Sequence, residues 1–261
     1  MKHRGLKNLF IGLVFLFLYL PIIILVIFSF NTSRMNIIFT GFTFSWYRTL
    51  FSNSELLNAF FNTMVIAVVS TVVSTVIGTM GAVGLNQYNF PFKSIINKLI
   101  YIPIVIPEIV LGISLLSMYT LMKLELGMFT LILSHIAFSI PFVIVSVRST
   151  LSYNVKLYEE AAHDLGANNF KTFFLVTLPS IMPGVVSGAT LAFTLSMDDV
   201  VISYFTAGPG SNTLPLKIYS MIKTGITPDV NAMSSLMLLA TIVILTFSVF
   251  MQGRKIVGDN R

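Results

Sequence analysis

Three carboxylates lie inside long apolar runs of this chain. Glu108 sits in Ile104-Val105-Ile106-Pro107-Glu108-Ile109-Val110-Leu111, and Asp198 and Asp199 adjoin in Leu195-Ser196-Met197-Asp198-Asp199-Val200-Val201-Ile202. No lysine or arginine lies deep in these runs. A charge held at mid-bilayer costs about 2.5–3.5 kcal/mol on insertion scales, so ionisable groups there are functional by default. Two or three carboxylates along one path would hold an elongated cation by charge-assisted hydrogen bonds. Pairing with basic residues of a partner subunit, or protonation of one of the three, is the competing use. The single tryptophan, Trp46, lies in Phe42-Thr43-Phe44-Ser45-Trp46-Tyr47. Such a residue serves as an interfacial anchor, or offers a cation–π contact worth ~0.5–2 kcal/mol at the mouth of a cation path. With three histidines and no cysteine, no metal constellation arises. His135 reads as a buried hydrogen-bonding partner.

The elements that must position these groups are membrane helices. Of 261 residues, 55% are hydrophobic and 10% charged, and the mean hydropathy is +0.88. Soluble domains carry roughly a quarter charged residues. The net charge of +6 is scattered over loops, which excludes a nucleic-acid stripe. A span needs about 20 apolar residues, and six segments qualify: 9–30, 60–85, 99–121, 128–147, 185–205 and 233–251. The first lacks a small-x-small cleavage site and reads as an uncleaved helix. With the N-terminus inside, only Arg34, Arg48, Lys123, Lys217 and Lys223 of the 16 basic residues fall outside. That bias makes both termini and the 148–180 loop cytoplasmic. The whole chain, 1–261, reads as one all-α transmembrane domain.

On a continuous third helix, Glu108 would lie ~14 Å from its inner end. Pro103 and Pro107 precede it and free backbone carbonyls, as in the broken helices that line transporter sites. On a continuous fifth helix, Asp199 shares a face with Ala192, Ser196 and Ser203, and Asp198 with Leu191, Leu195 and Ile202. Asp199 or Ser196 is therefore expected to face the path, with Asp198 nearer its edge or a subunit interface. Gly78, Gly81, Gly84 and Gly188 are expected to allow close helix approach. The turn-rich run 207–212 is expected to be a plain outer connector.

The polar insert 155–175 reads as two short helices. Leu157, Ala161, Ala162 and Leu165 fall at helical spacing for an apolar face, flanked by Glu159, Glu160 and Asp164. Gly166 suits a helix end, Asn168 can cap a second helix, and Pro179 is expected to stop that helix. The pattern Glu160-Ala161-Ala162, then Gly166, then Val176-Thr177-Leu178-Pro179 resembles the EAA motif of ABC-type importer permeases. Val176 replaces the usual isoleucine. The resemblance implies the type I importer permease (MetI-like) fold, with 155–175 as the helix that couples to a separate ATPase. The chain has no GxxxxGK[ST] loop, so ATP and its magnesium are expected on that partner.

Asn62-Thr63, Pro103, Pro107 and the six-span layout extend the family resemblance. More narrowly, Ser196–Val201 and Leu214–Met221 resemble the PotC-type subunits of spermidine/putrescine importers. That implies a non-catalytic inner-membrane permease for polyamines, working with a homologous PotB-like chain, two ATPases and an external binding protein. Other solutes, iron in particular, suit carboxylates too. An ion-coupled secondary transporter would leave the 160–179 motif without a use.

Overall fold

The computed structural model describes residues 2–33, 38–224 and 228–258. Arg34 and Arg261, counted above for orientation, lie outside them. Among the described residues the regular structure is helical, apart from one isolated bridge between Asn31 and Phe42. The helices are α1 (Lys2–Phe28), α2 (Ser45–Ser52), α3 (Ser54–Gln87), α4 (Lys93–Leu99), α5 (Ile102–Val105), α6 (Glu108–Leu121) and α7 (Met128–Arg148). They continue as α8 (Tyr153–Asp164), α9 (Asn169–Thr172), a π-turn (Phe173–Thr177), α10 (Leu178–Asp198), α11 (Val201–Thr206), α12 (Leu214–Thr224) and α13 (Pro228–Gly258).

Among the described residues, four stretches are long and apolar enough to cross a bilayer: Lys7–Phe28, Ser54–Gln87, Met128–Arg148 and Asn169–Asp198. The expected third span is a pair, Lys93–Val105 and Glu108–Leu121, bent by 110°. Its continuous-helix depth for Glu108 therefore does not hold. The expected sixth span falls within α13, whose described apolar part is Pro228–Val243.

Two further boundaries are corrected. The fifth span does not begin at 185 behind a stop at Pro179, because helix runs unbroken from Asn169 to Asp198. Pro179 sits in the first turn of α10, and the preceding π-turn, in which the Leu178 amide reaches back to the Phe173 carbonyl, widens the helix ahead of it. A proline ring normally clashes with the carbonyl four residues back, and the wider turn relieves that clash. The same span does not reach 205 as one helix. It ends at Asp198, passes through an extended Asp199, and restarts as α11.

The chain divides into two compact units. The smaller comprises Met1–Asn58 and Ser220–Val243. In it the side chains of α1 from Lys7 to Ile24 are exposed, as suits a helix facing lipid or a partner. Asn31 organises the following loop: its carboxamide donates to the Ile38 carbonyl and accepts from the Thr40 amide, each at 2.8 Å. The Trp46 indole donates to the Asn31 carbonyl at 2.6 Å.

In the larger unit, Ala59–Tyr219 and Ile244–Arg261, the core joins α3, α7, α8 and α10 through Ala82, Val83, Val143, Ile144, Val147, Val155, Ile181 and Ala192. A second cluster joins α6, α7 and α11 through Leu115, Tyr119, Phe138 and Ile202. Glycines set these distances at some positions only. A β-carbon at Gly78 would meet Val143 at 2.7 Å, and one at Gly188 would meet the Val143 Cα at 3.2 Å. Gly81 has ordinary spacing and Gly84 nothing within 4 Å, so the packing expectation fails at Gly84. Gly78→Leu should destabilise the protein by about 1–3 kcal/mol through overpacking, whereas Gly84→Ala should be neutral or slightly stabilising. Melting temperatures of the detergent-solubilised protein separate the two.

Candidate functional site

The break between α10 and α11 frees amide donors that no water can satisfy inside a bilayer. Asp199 supplies the acceptor. Its carboxylate takes the Ile202 amide at 3.1 Å, the Ser203 amide at 2.8 Å and the Ser203 hydroxyl at 2.8 Å. Asp199 is thus buried as the cap of α11, a favourable place for negative charge at a helix N-terminus.

A chain of polar side chains backs this cap. His135 Nε2 lies 3.2 Å from Ser203 Oγ and 3.5 Å from Asp199 Oδ2. Its Nδ1 lies 2.7 Å from Ser196 Oγ, which is 3.2 Å from Ser70 Oγ. For a neutral imidazole the direction is fixed. Ser203 gives its only proton to Asp199, so Nε2–H donates to Ser203 and Nδ1 accepts from Ser196. The network ties α3, α7, α10 and α11 at one level, and all five side chains are buried.

This placement departs from a continuous helical face. Asp199 and Ser196 point into the chain, and Asp198 is exposed at the last turn of α10. The extended backbone at Asp199, φ −63° and ψ 126°, breaks the 100° stepping on which the assignment rested. Glu108 opens α6 directly after the extended Ile106-Pro107 junction and is exposed. α6 and α11, which follow the two breaks, pack on each other through Leu115, Tyr119 and Ile202, so Glu108 and the two aspartates lie at the ends of packed helices. The β-carbon position of Gly112 lies 2.6 Å from the Phe205 ring, which brings α6 and α11 together. Among the described residues, no lysine or arginine comes within 4 Å of Glu108 or Asp198. Trp46 is not brought to this group within one compact unit. It is half-buried in the smaller unit with its indole donor engaged.

The insert forms the expected helical hairpin, with one change of face. Gly166 takes the left-handed conformation, φ +82°, and the amides of Ala167 and Gly166 return to the carbonyls of Ala162 and His163. That is a Schellman end. Asn168 then caps α9 by accepting from the Lys171 amide at 2.9 Å. The inward face of α8 is Val155, Glu159 and Ala162, whereas Leu157, Ala161, Asp164 and Leu165 are exposed. Glu160 is also exposed and pairs with Lys156 at 3.7 Å. Glu159 instead accepts from Gln87 at 2.7 Å and from the buried Thr177 hydroxyl.

The outer connector is more than a turn. Asn62 donates to the carbonyls of Gly210 and Asn212, Thr63 accepts the Leu214 amide at 2.8 Å, and Thr130 donates to the Thr206 carbonyl at 2.9 Å. A β-carbon on Gly208 would fall onto the Leu126 carbonyl. Sequence reasoning missed Ser70, Gln87 and Thr177. Ser70 announces itself only as a polar residue in an apolar run, and Gln87 and Thr177 carry no local signal.

Comparison with known proteins agrees with this geometry. Residues 74–254 match the family described as the binding-protein-dependent transport system inner membrane component. The chain is 42% identical to the spermidine/putrescine transport system permease protein PotC of Escherichia coli (strain K12), over 99% of this chain and 98% of that protein. It is 37% identical to the putrescine transport system permease protein PotI of the same strain, over 86% of this chain and 82% of that protein. A crystal structure of a bacterial ABC transporter involved in import of the acidic polysaccharide alginate superposes with a TM-score of 0.72, at 17% identity and 96% coverage of both chains. That likeness bears on the fold, an importer permease of the MetI-like type. With more than half of its length matched, this multi-pass chain belongs to the family of binding-protein-dependent transport system inner membrane components.

Proposed function

We propose that this chain is the permease subunit that carries polyamines, spermidine or putrescine, through an ABC importer. The observation that carries the reading is that Glu108 and Asp198 stand exposed at two helix breaks whose following helices pack together, with no lysine or arginine within 4 Å among the described residues. A pair of carboxylates on different helices suits a cation with separated ammonium groups, each held by a charge-assisted hydrogen bond. The near full-length similarity to polyamine permeases supports the same substrate class.

Within this reading Asp198 and Glu108 contact the cation, and Asp199 with Ser196 holds the α10–α11 break in shape. Trp46 steadies the loop after α1. The remainder of the path comes from a homologous PotB-like permease chain. Two ATPases, which bind ATP and magnesium, dock on the cytoplasmic side against the exposed Ala161, Asp164 and Leu165 face of α8 with Glu160. A binding protein delivers substrate from outside, and both termini face the cytoplasm. The chain itself breaks no bond. It changes which side is open as nucleotide and binding protein shift its conformational populations.

Uptake of labelled spermidine and putrescine by the reconstituted complex tests this. Asp198→Asn and Glu108→Gln should each weaken apparent affinity roughly 10- to 100-fold, the factor expected for losing a hydrogen bond to a charged group. Assembly and nucleotide hydrolysis should persist. Asp199→Leu should instead lower the yield of assembled complex, because buried amide donors lose their acceptor. An assembled complex that hydrolyses ATP yet takes up neither polyamine would remove the substrate reading.

A further inference from the structure

Glu159 lies beside the three residues of the EAA pattern, yet its carboxylate turns away from the exposed face of α8. One oxygen, Oε1, receives both the Gln87 carboxamide from the last residue of α3 and the Thr177 hydroxyl from the end of the π-turn. Thr177 is fully buried, and Glu159 is half-buried. The three residues share the wall of an open cavity of about 780 Å³ between the end of α3, α8 and the π-turn, with Met80, Phe170 and Phe173 among its other lining residues. Beside the buried Val155, α8 is held to the spans at this cavity by these polar bonds.

The element that holds Thr177 is the helical stretch Asn169–Asp198. Asp198 closes its far end, ~30 Å from Thr177 at 1.5 Å per residue. A displacement of α8 thus has a direct route to the carboxylate at the α10–α11 break. A second route enters α3, whose Ser70 belongs to the His135–Asp199 network. Two exposed groups of α8, Glu160 and Asp164, remain for a soluble partner.

We propose that Glu159 is a positioning residue, an internal latch that fastens the coupling segment to α3 and α10, and not a contact to the ATPase. The proposal rests on reading α8 as the ATPase-docking segment. Its chemistry needs an acceptor oxygen at Glu159 and a hydroxyl donor at Thr177. It does not need a negative charge.

The test uses the full complex, with partner permease, ATPases and binding protein, and reads polyamine uptake, ATP hydrolysis and ATPase retained through purification. Thr177→Val, which keeps shape and removes one donor, should lower uptake per ATP hydrolysed roughly tenfold, the factor of one lost hydrogen bond to a charged acceptor, and Glu159→Leu, which removes the acceptor of both bonds, should lower it at least as much. ATPase should remain bound. Glu159→Gln, whose amide oxygen still accepts, should transport near the wild-type level. The double variant Glu159→Leu/Thr177→Val should be no worse than Glu159→Leu, because the two groups act as one unit. Loss of ATPase from Glu159→Gln, or unchanged uptake per ATP in Thr177→Val, would overturn the latch. A wild-type complex that retains no ATPase would overturn the docking reading and the latch with it, a result distinct from either.

Discussion

A helix that stops inside a bilayer exposes amide donors where no solvent can meet them, and each unsatisfied group costs several kcal/mol. The larger unit contains two such stops, at Ile106-Pro107 and at Asp199-Val200. Proline solves the first in part, since Pro107 has no amide to satisfy. Asp199 solves the second by accepting two amides and a hydroxyl. Because that carboxylate is spent on the backbone, the neighbouring Asp198 is left exposed at the end of α10. The two adjacent aspartates therefore divide the work: one makes the break possible and the other occupies it.

The His135 network follows from the same constraint. A buried carboxylate is costly in low dielectric unless its oxygens are satisfied, and further oriented dipoles lower that cost. His135 links Ser203 beside the cap to Ser196 on α10, and Ser196 reaches Ser70 on α3. The shape of the break is thereby fixed by three other helices and not only by α11. A change in the spacing of α3, α7 and α10 would act on the cap, and through it on Asp198. Gly78 and Gly188, which let α3 and α10 close on Val143 of α7, set that spacing.

Much of this was legible in the sequence where one residue type has one strong physical consequence. Apolar run length marked the spans. Gly166 and Asn168 marked the hairpin, because left-handed backbone and an N-terminal acceptor are local needs met by local residues. The three carboxylates stood out because charge in an apolar run is costly. What was not legible depended on assuming regular geometry. Treating 185–205 as one helix hid the break at Asp199 and with it the use of its carboxylate as a backbone acceptor. Asp199 followed by Val200, Val201 and Ile202 carried a usable warning. An acidic residue ahead of a β-branched run favours capping a new helix over continuing an old one. At Pro179 the error ran the other way, since a π-turn let a helix pass a residue that ordinarily ends one.

The division between paired residues recurs on α8, which is bonded through Glu159 to Thr177 near the start of the span that ends at Asp198. Glu159 and Glu160 adjoin as Asp198 and Asp199 do, and again one is drawn inward while the other is exposed. On a helix, neighbours 100° apart cannot serve one surface, so adjacent like charges serve best where an inner and an outer task meet. At α8 the inner carboxylate bonds to the spans through Gln87 and Thr177, and the outer one is left exposed beside Lys156. At the α10–α11 break the inner task is backbone satisfaction, and the outer carboxylate is left exposed. The helical stretch Asn169–Asp198 joins the two sites without interruption, which is the simplest way for a force applied at one charged pair to be felt at the other.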